Sequence, residues 1–209
     1  MSYQLAIFDF DGTLADSMAV FVEVFNELAQ VYRYRPVVAE EIPELRRHGA
    51  RELIKHFGIS RWRVPLLAYR FRAEMKRRLN AIALFDGIAE LLRELSARGV
   101  RLAIVSANRH DTIRQVLGPD IASLISHFEC GTSIFSKTAK LRTTLKVCRA
   151  EAAGAIYIGD QITDLESARR ARIACGAVAW GYGELESLKA CAPDMVFDRV
   201  DELLRLAPA

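Results

Sequence analysis

Two aspartates one residue apart, Asp9 and Asp11, open the segment Asp9-Phe10-Asp11-Gly12-Thr13-Leu14-Ala15-Asp16-Ser17, directly after the apolar run Leu5-Ala6-Ile7-Phe8. Carboxylates leaving the end of a buried strand stand where open α/β sheets bind ligands. Two like charges are costly there without a compensating cation or partner, so the pair points to a divalent metal. Gly12 lets the backbone turn closely and present N–H groups to an anion. An acidic turn with Asp16 or Ser17 as the N-cap of the next helix accounts for those two residues but not for Asp9. A second acidic segment, Gly159-Asp160-Gln161-Ile162-Thr163-Asp164, follows another apolar run. Asp160 and Asp164 are four apart, a spacing that puts both on one side of a chain entering a helix and adds two hard oxygen ligands. Mg²⁺ takes one or two carboxylates together with water and phosphate oxygens, which suits this supply. The alternative is that Thr163 or Asp164 simply starts a helix.

Two weaker signals join these. Ser106-Ala107-Asn108 follows the apolar run from Arg101 to Val105, and a hydroxyl at a strand end ahead of a helix N-terminus is a common phosphate cradle. Lysine is scarce, six against 23 arginines, yet Lys137 and Lys140 both stand at the start of one helical segment. An ammonium beside carboxylates and a phosphate neutralises developing charge, whereas a solvated helix-end lysine is the plainer reading.

These residues need strands to carry them. Short apolar runs bounded by turn residues or aspartates recur at Leu5 to Phe8, Arg101 to Val105, Ala155 to Ile158 and Gly176 to Trp180, and read as buried parallel strands. Helical spacing separates them, as in Ile88, Leu91, Leu92 and Leu95 before Arg98-Gly99, and Leu141, Leu145 and Cys148 before Gly154. Strand alternating with helix predicts an α/β fold with a doubly wound parallel sheet. From about Met18 to Leu84 the pattern is helical, with Phe21, Val24, Phe25 and Leu28 on one face and no convincing strand, so this stretch reads as an insertion. It carries 13 basic and 7 acidic residues in a chain whose net charge is only +3. A basic lid on an acidic core fits an anionic substrate, and Arg46, Arg47, Arg77 and Arg78 solvating helix faces explain the charge equally well.

Composition bounds the rest. With 209 residues, 51% hydrophobic and 26% charged, the chain fits one domain with a modest insertion and excludes disorder and disulfide-rich miniproteins. A surplus of +3 without a basic stripe argues against nucleic acid. Cys130, Cys148, Cys175 and Cys191 form no C-x-x-C pair and read as reduced thiols in a cytoplasmic protein. No leader peptide and no membrane span are expected. Oligomeric state leaves no sign.

In order and spacing, the four segments together resemble the motifs of the haloacid dehalogenase superfamily of phosphohydrolases, over the whole chain. The Asp9–Ser17 stretch carries most of that resemblance, and the insertion is similar to the helical cap of the phosphoglycolate phosphatase-like subgroup. The resemblance implies a Rossmann-like core from residues 1–15 and 85–209, with an α-helical cap over residues 16–84. It implies that Asp9 is a nucleophile forming an aspartyl-phosphate, and that Asp11 is the acid and then the base. Asp9, the backbone carbonyl of Asp11, Asp160 and Asp164 would serve a Mg²⁺ ion, with Ser106, Asn108 and one lysine on the phosphoryl group. Many relatives have Lys-Pro where this chain reads Ser136-Lys137-Thr138-Ala139-Lys140; Lys137 is preferred and Lys140 is the alternative. An acid at position 11 separates phosphoester cleavage from dehalogenation, because halide leaves without a proton. The implied substrate is a small phosphorylated metabolite, phosphoglycolate nominally, with Arg47, His48 and Arg51 around Gly49 as first candidates for contact. A phosphotransferase or phosphosugar mutase and a non-catalytic phosphate-binding module are the other readings. A response-regulator receiver domain would be shorter and lack the insertion.

Overall fold

Residues 2–45, 50–131 and 137–208 are described by the structure, a computed structural model of the chain. They form two compact units, Met1–Asp16 with Ala83–Ala209, and Ser17–Ile82.

The first unit is built on β1 (Leu5–Phe8), whose four residues are all buried. A strand covered on both faces needs apolar side chains at every position rather than alternate ones, which is why Leu-Ala-Ile-Phe reads as a continuous run. The chain next forms β2 (Ala15–Asp16) and, in the second unit, α1 (Met18–Tyr32), α2 (Ile42–Leu45), α3 (Ala50–His56) and α4 (Val64–Arg77). It returns through β3 (Ala83–Leu84), which pairs antiparallel with β2, Ala15 opposite Leu84. This two-residue strand lies inside the stretch expected to hold none, and two residues are too few for a period to register. Thereafter α5 (Ile88–Ala97), β4 (Arg101–Val105), α6 (His110–Leu124), β5 (Ile125–Glu129), α7 (Lys137–Val147), β6 (Ala155–Gly159), α8 (Ile162–Ala171), β7 (Ala174–Val178), α9 (Leu185–Ala190) and β8 (Met195–Phe197) follow. The expected strand from Gly176 to Trp180 therefore begins and ends two residues earlier, leaving Trp180 in the loop.

The sheet order is β5-β4-β1-β6-β7-β8, all parallel. Connections run outward from β1 in both directions, so the fold is a Rossmann-like doubly wound α/β sheet, with its switch point at β1. Phe8 lies opposite Ile104 of β4 and Ile158 of β6. This register brings the chain out of three adjacent strands at one level, and puts Asp9, Ser106 and Asp160 at the same sheet edge. Beneath them, Leu5, Ile7, Val105, Leu141, Tyr157 and Leu165 belong to one buried cluster that fixes the strands and the helices α7 and α8. Fully burying each such side chain contributes about 1.5–3 kcal/mol, which makes the strand ends a rigid platform.

In the second unit, Val20, Val24 and Leu28 form one face of α1 and pack with Tyr32, Tyr34, Phe71, Met75 and Ile82. Phe25 adds edge contacts to Tyr34 and Phe57. Of the expected face, Val24 and Leu28 are buried and Phe25 packs beside them, while Phe21 is exposed and meets Phe71 in a tilted pair. No helix among the described residues is long and apolar enough to cross a membrane.

Candidate active site

Asp9 leaves β1 buried, with Oδ1 accepting the Phe10 N–H at 2.8 Å and Oδ2 accepting Lys137 Nζ at 2.9 Å. Asp164 is the third residue of α8 and is completely buried. Its Oδ2 accepts the Gln161 N–H at 3.0 Å, while Oδ1 accepts the Tyr157 hydroxyl at 3.2 Å and a short bond from Lys137 Nζ. Asp164 thus accepts the N-cap N–H of its helix and also belongs to the acidic cluster. Asp160, also fully buried, accepts Thr13 Oγ1 at 3.3 Å on Oδ1 and the Tyr182 N–H at 2.8 Å on Oδ2. Oxygens of Asp9, Asp160 and Asp164 lie within 4.8 Å of one another.

Three buried carboxylates around one ammonium leave a deficit of positive charge. Burial pushes the Asp9 carboxyl up to about 6, with Lys137 pulling it down and Asp164 pushing it up. Burial likewise holds Asp160 well above the usual carboxylate range, helped by Asp164 and Asp9. For Lys137, burial works against the charge, but Asp9, Tyr157 and Asp164 more than reverse this and hold the ammonium well above its ordinary value. A hard divalent cation among such oxygens would remove the deficit, so the donor set fits Mg²⁺.

Between the unfolded carboxyl value near 4 and the folded value of about 6, the native state holds more proton at Asp9 than the unfolded chain does. The burial penalty on the anion is thus absent at low pH and complete above about 6. Because a bound cation would compete with the proton for this oxygen, Mg²⁺ is expected to raise the melting temperature more at about pH 7.5 than at about pH 5. Thermal scans with and without Mg²⁺ at the two values check this, and an equal or larger shift at the lower pH contradicts it.

The other predicted residues form an adjoining group. Ser106, buried at the end of β4, accepts the Asn108 N–H on its hydroxyl at 3.0 Å. Asn108 Nδ2 donates to Asp11 Oδ2 at 2.7 Å, so its amide is engaged with Asp11. The three-carboxylate cluster consists of Asp9, Asp160 and Asp164, without Asp11. Gly12 has φ +76°, and a Cβ there would lie 2.3 Å from Asp160 Oδ2, so a side chain at this position would collide with the cluster.

The two candidate lysines have different partners. Lys137 binds Asp9 and Asp164, whereas Lys140, buried one turn along α7, donates to the carbonyl oxygens of Ser106 at 2.7 Å and Gly131 at 2.8 Å. Burial lowers the Lys140 ammonium below its ordinary value. Arg47, His48 and Gly49 lie outside the described residues, and only the backbone of Arg51, in α3, is described. Asp16 is exposed in β2, and Ser17 is the N-cap residue of α1 but makes no side-chain cap bond. Sequence reasoning gave no role to Tyr157, Trp180 or Tyr182, although each touches this region. A surface groove of about 570 Å³ lined by Asp86, Glu90, Glu94, Leu91, Val200 and Leu204 contains none of the site residues.

Comparison with known proteins gives the family. Residues 6–178 match the model of the haloacid dehalogenase-like hydrolase family. A phosphoglycolate phosphatase from Synechococcus elongatus is 34% identical over 97% of this chain and 96% of its own length. The tyrosine-protein kinase PtkA of Mycobacterium tuberculosis is 30% identical, over 97% of this chain and 72% of its own. Among solved structures, a haloacid dehalogenase-like hydrolase from Streptococcus pneumoniae superposes with a TM-score of 0.85 at 23% identity, covering 97% of both chains. The family match spans most of the chain, from the strand before Asp9 to the last residue of β7, and the chain therefore belongs to the haloacid dehalogenase-like hydrolase family, as an enzyme of its phosphoglycolate phosphatase-like subgroup.

Proposed function

We propose that this chain is a cytoplasmic, Mg²⁺-dependent phosphomonoesterase that works through an aspartyl-phosphate on Asp9, with phosphoglycolate the first substrate to try. One observation carries the reading: the buried Asp9, Asp160 and Asp164 converge with Lys137 at the ends of adjacent strands, beside Asp11. The S. elongatus relative, a phosphoglycolate phosphatase, supports the choice of substrate. The helical segment 16–84 would act as the cap that selects the leaving group.

In the first step an Asp9 oxygen attacks phosphorus and the ester P–O bond breaks, with protonated Asp11 giving its proton to the departing oxygen. In the second, Asp11 takes a proton from water as that water attacks the same phosphorus, releasing phosphate and restoring the Asp9 carboxylate. The hydrogen bond from Asn108 orients Asp11 for both transfers. Lys137, already on Asp9, offsets charge gathering on the phosphoryl oxygens, and Ser106 offers its hydroxyl to one of them. Asp9, Asp160 and Asp164, with the Asp11 carbonyl, would hold the Mg²⁺, which when bound supplies charge neutralisation and orients the phosphoryl group.

The test is release of inorganic phosphate from a panel of small phosphomonoesters, phosphoglycolate included, with Mg²⁺ and with a chelator. Release from at least one ester that stops on chelation is expected. Pure, metal-supplied protein that releases nothing from any member, and isomerises no phosphosugar, would overturn the catalytic reading. The likeness to PtkA favours a second reading, in which the phosphoryl group passes to an acceptor other than water. Phosphorylated acceptor accumulating in place of free phosphate would identify it.

A further inference from the structure

The loop after β7, Trp180-Gly181-Tyr182-Gly183, has no part in the steps above, yet it lies close against Asp160. Cβ atoms on Gly181 and Gly183 would lie 2.1 Å from Asp160 Cβ and 2.0 Å from its backbone oxygen, so only glycine lets this backbone come so near. Gly183 N–H donates to the Asp160 carbonyl at 3.1 Å, and the Tyr182 N–H donates to Oδ2. From the other side Trp180 Nε1 donates to the Thr13 carbonyl at 3.0 Å, and Thr13 Oγ1 donates to Asp160 Oδ1. Both carboxylate oxygens of Asp160 are thus aimed by donors that depend on this loop and on the turn it grips. Outer groups that orient a ligand residue commonly govern metal affinity by 10–100-fold.

We infer that Trp180 is a positioning residue for the metal site: its indole N–H pins the Asp11-Gly12-Thr13 turn so that Thr13 and Tyr182 together hold Asp160 ready for the cation. The inference rests on the Mg²⁺ reading given above. The indole acts one bond further out than a direct partner of the ligand, so its removal has a smaller effect than the loss of such a partner. Trp180→Phe keeps an aromatic ring and removes the N–H. The Mg²⁺ concentration giving half of the maximal thermal stabilisation is expected to rise about 3- to 10-fold, with turnover recovering when Mg²⁺ is raised to saturation. A role confined to packing would lower the melting temperature without moving that midpoint.

A second measurement leaves the site untouched. The chain has two tryptophans, and Trp62 is exposed in the helical unit, so in Trp62→Phe all indole emission comes from Trp180. Its emission is expected to change on titration with Mg²⁺, with the same midpoint as the thermal shift. An unmoved midpoint in a folded Trp180→Phe overturns the inference, and so does silent emission in a Trp62→Phe protein that Mg²⁺ stabilises. Native protein that Mg²⁺ neither stabilises nor perturbs would instead overturn the metal reading, and this inference with it.

Discussion

Asp9→Asn is expected to lower turnover by at least about 10⁴-fold, some 5.5 kcal/mol of barrier, while the protein stays folded. The amide is nearly the same size, and its oxygen still accepts the Phe10 N–H, so the strand end keeps its geometry. What is lost is the anion that attacks phosphorus and the oxygen facing Lys137. Stability should move the opposite way. Burial is the largest influence on the native carboxyl, which it pushes up to about 6, so above that value the folded protein carries a strained charge that asparagine lacks. Without metal, the variant is expected to melt at or above the native temperature near pH 7.5, with the difference shrinking as pH falls from about 6 towards 4. With saturating Mg²⁺ the order reverses, because the native carboxylate gains a cation that the amide binds poorly. Phosphate-release rates and melting scans on both proteins check all three statements. A variant retaining more than about one per cent of native turnover would remove Asp9 from the nucleophile's role.

That experiment was designable from sequence because this part of the molecule is local. β1 is apolar at every position and its motif follows without a gap, so the strand and the chemistry at its end are read together. The same holds for Ser106 after β4 and Asp160 after β6. Elements at the sheet margins left weaker traces. β5, Ile-Ser-His-Phe-Glu, is an edge strand with only its first residue fully buried, so it has no continuous apolar run. β8 has three residues and β3 two, below the length at which a period can be counted.

Within the site, contacts between distant residues were the illegible part. Trp180 and Thr13 are 167 positions apart and Asn108 and Asp11 are 97, and no spacing along a chain encodes such pairs. Tyr157 reads as one more apolar strand residue, since its buried ring belongs to the core while its hydroxyl reaches Asp164. Asn108 lies two residues from Ser106 in sequence, while its bond to Asp11 joins strand ends that no spacing connects. Trp180 reads as strand because the apolar run continues two positions past Val178, the last residue of β7.

The choice between Lys137 and Lys140 is the sharpest case, since three residues on one helix give sequence little to separate them. Their partners separate them by charge. Lys137→Met leaves Asp9, Asp160 and Asp164 buried without a cation, and stripping a buried charge of its partner typically costs 3–5 kcal/mol. Without metal, this variant is expected to lose about 3 kcal/mol of stability near neutral pH, and Mg²⁺ should restore much of it. Turnover should stay down by about 10³-fold, roughly 4 kcal/mol, because the cation fills the charge deficit but not the position of the ammonium beside the phosphoryl oxygens. Lys140→Met removes two hydrogen bonds to carbonyl oxygens, one buried and one partly buried, a loss of about 1.5–3 kcal/mol each at most for bonds to a charged group. Mg²⁺ should restore little of that loss, since no carboxylate of the cluster is a hydrogen-bond partner of Lys140, and turnover well below the melting temperature should fall by less than about tenfold. Urea unfolding of each variant with and without Mg²⁺, set beside its phosphate-release rate, distinguishes the two lysines. Turnover lost only in Lys140→Met would give the phosphoryl contact to Lys140 and reduce Lys137 to an ion-pair partner of the acidic cluster.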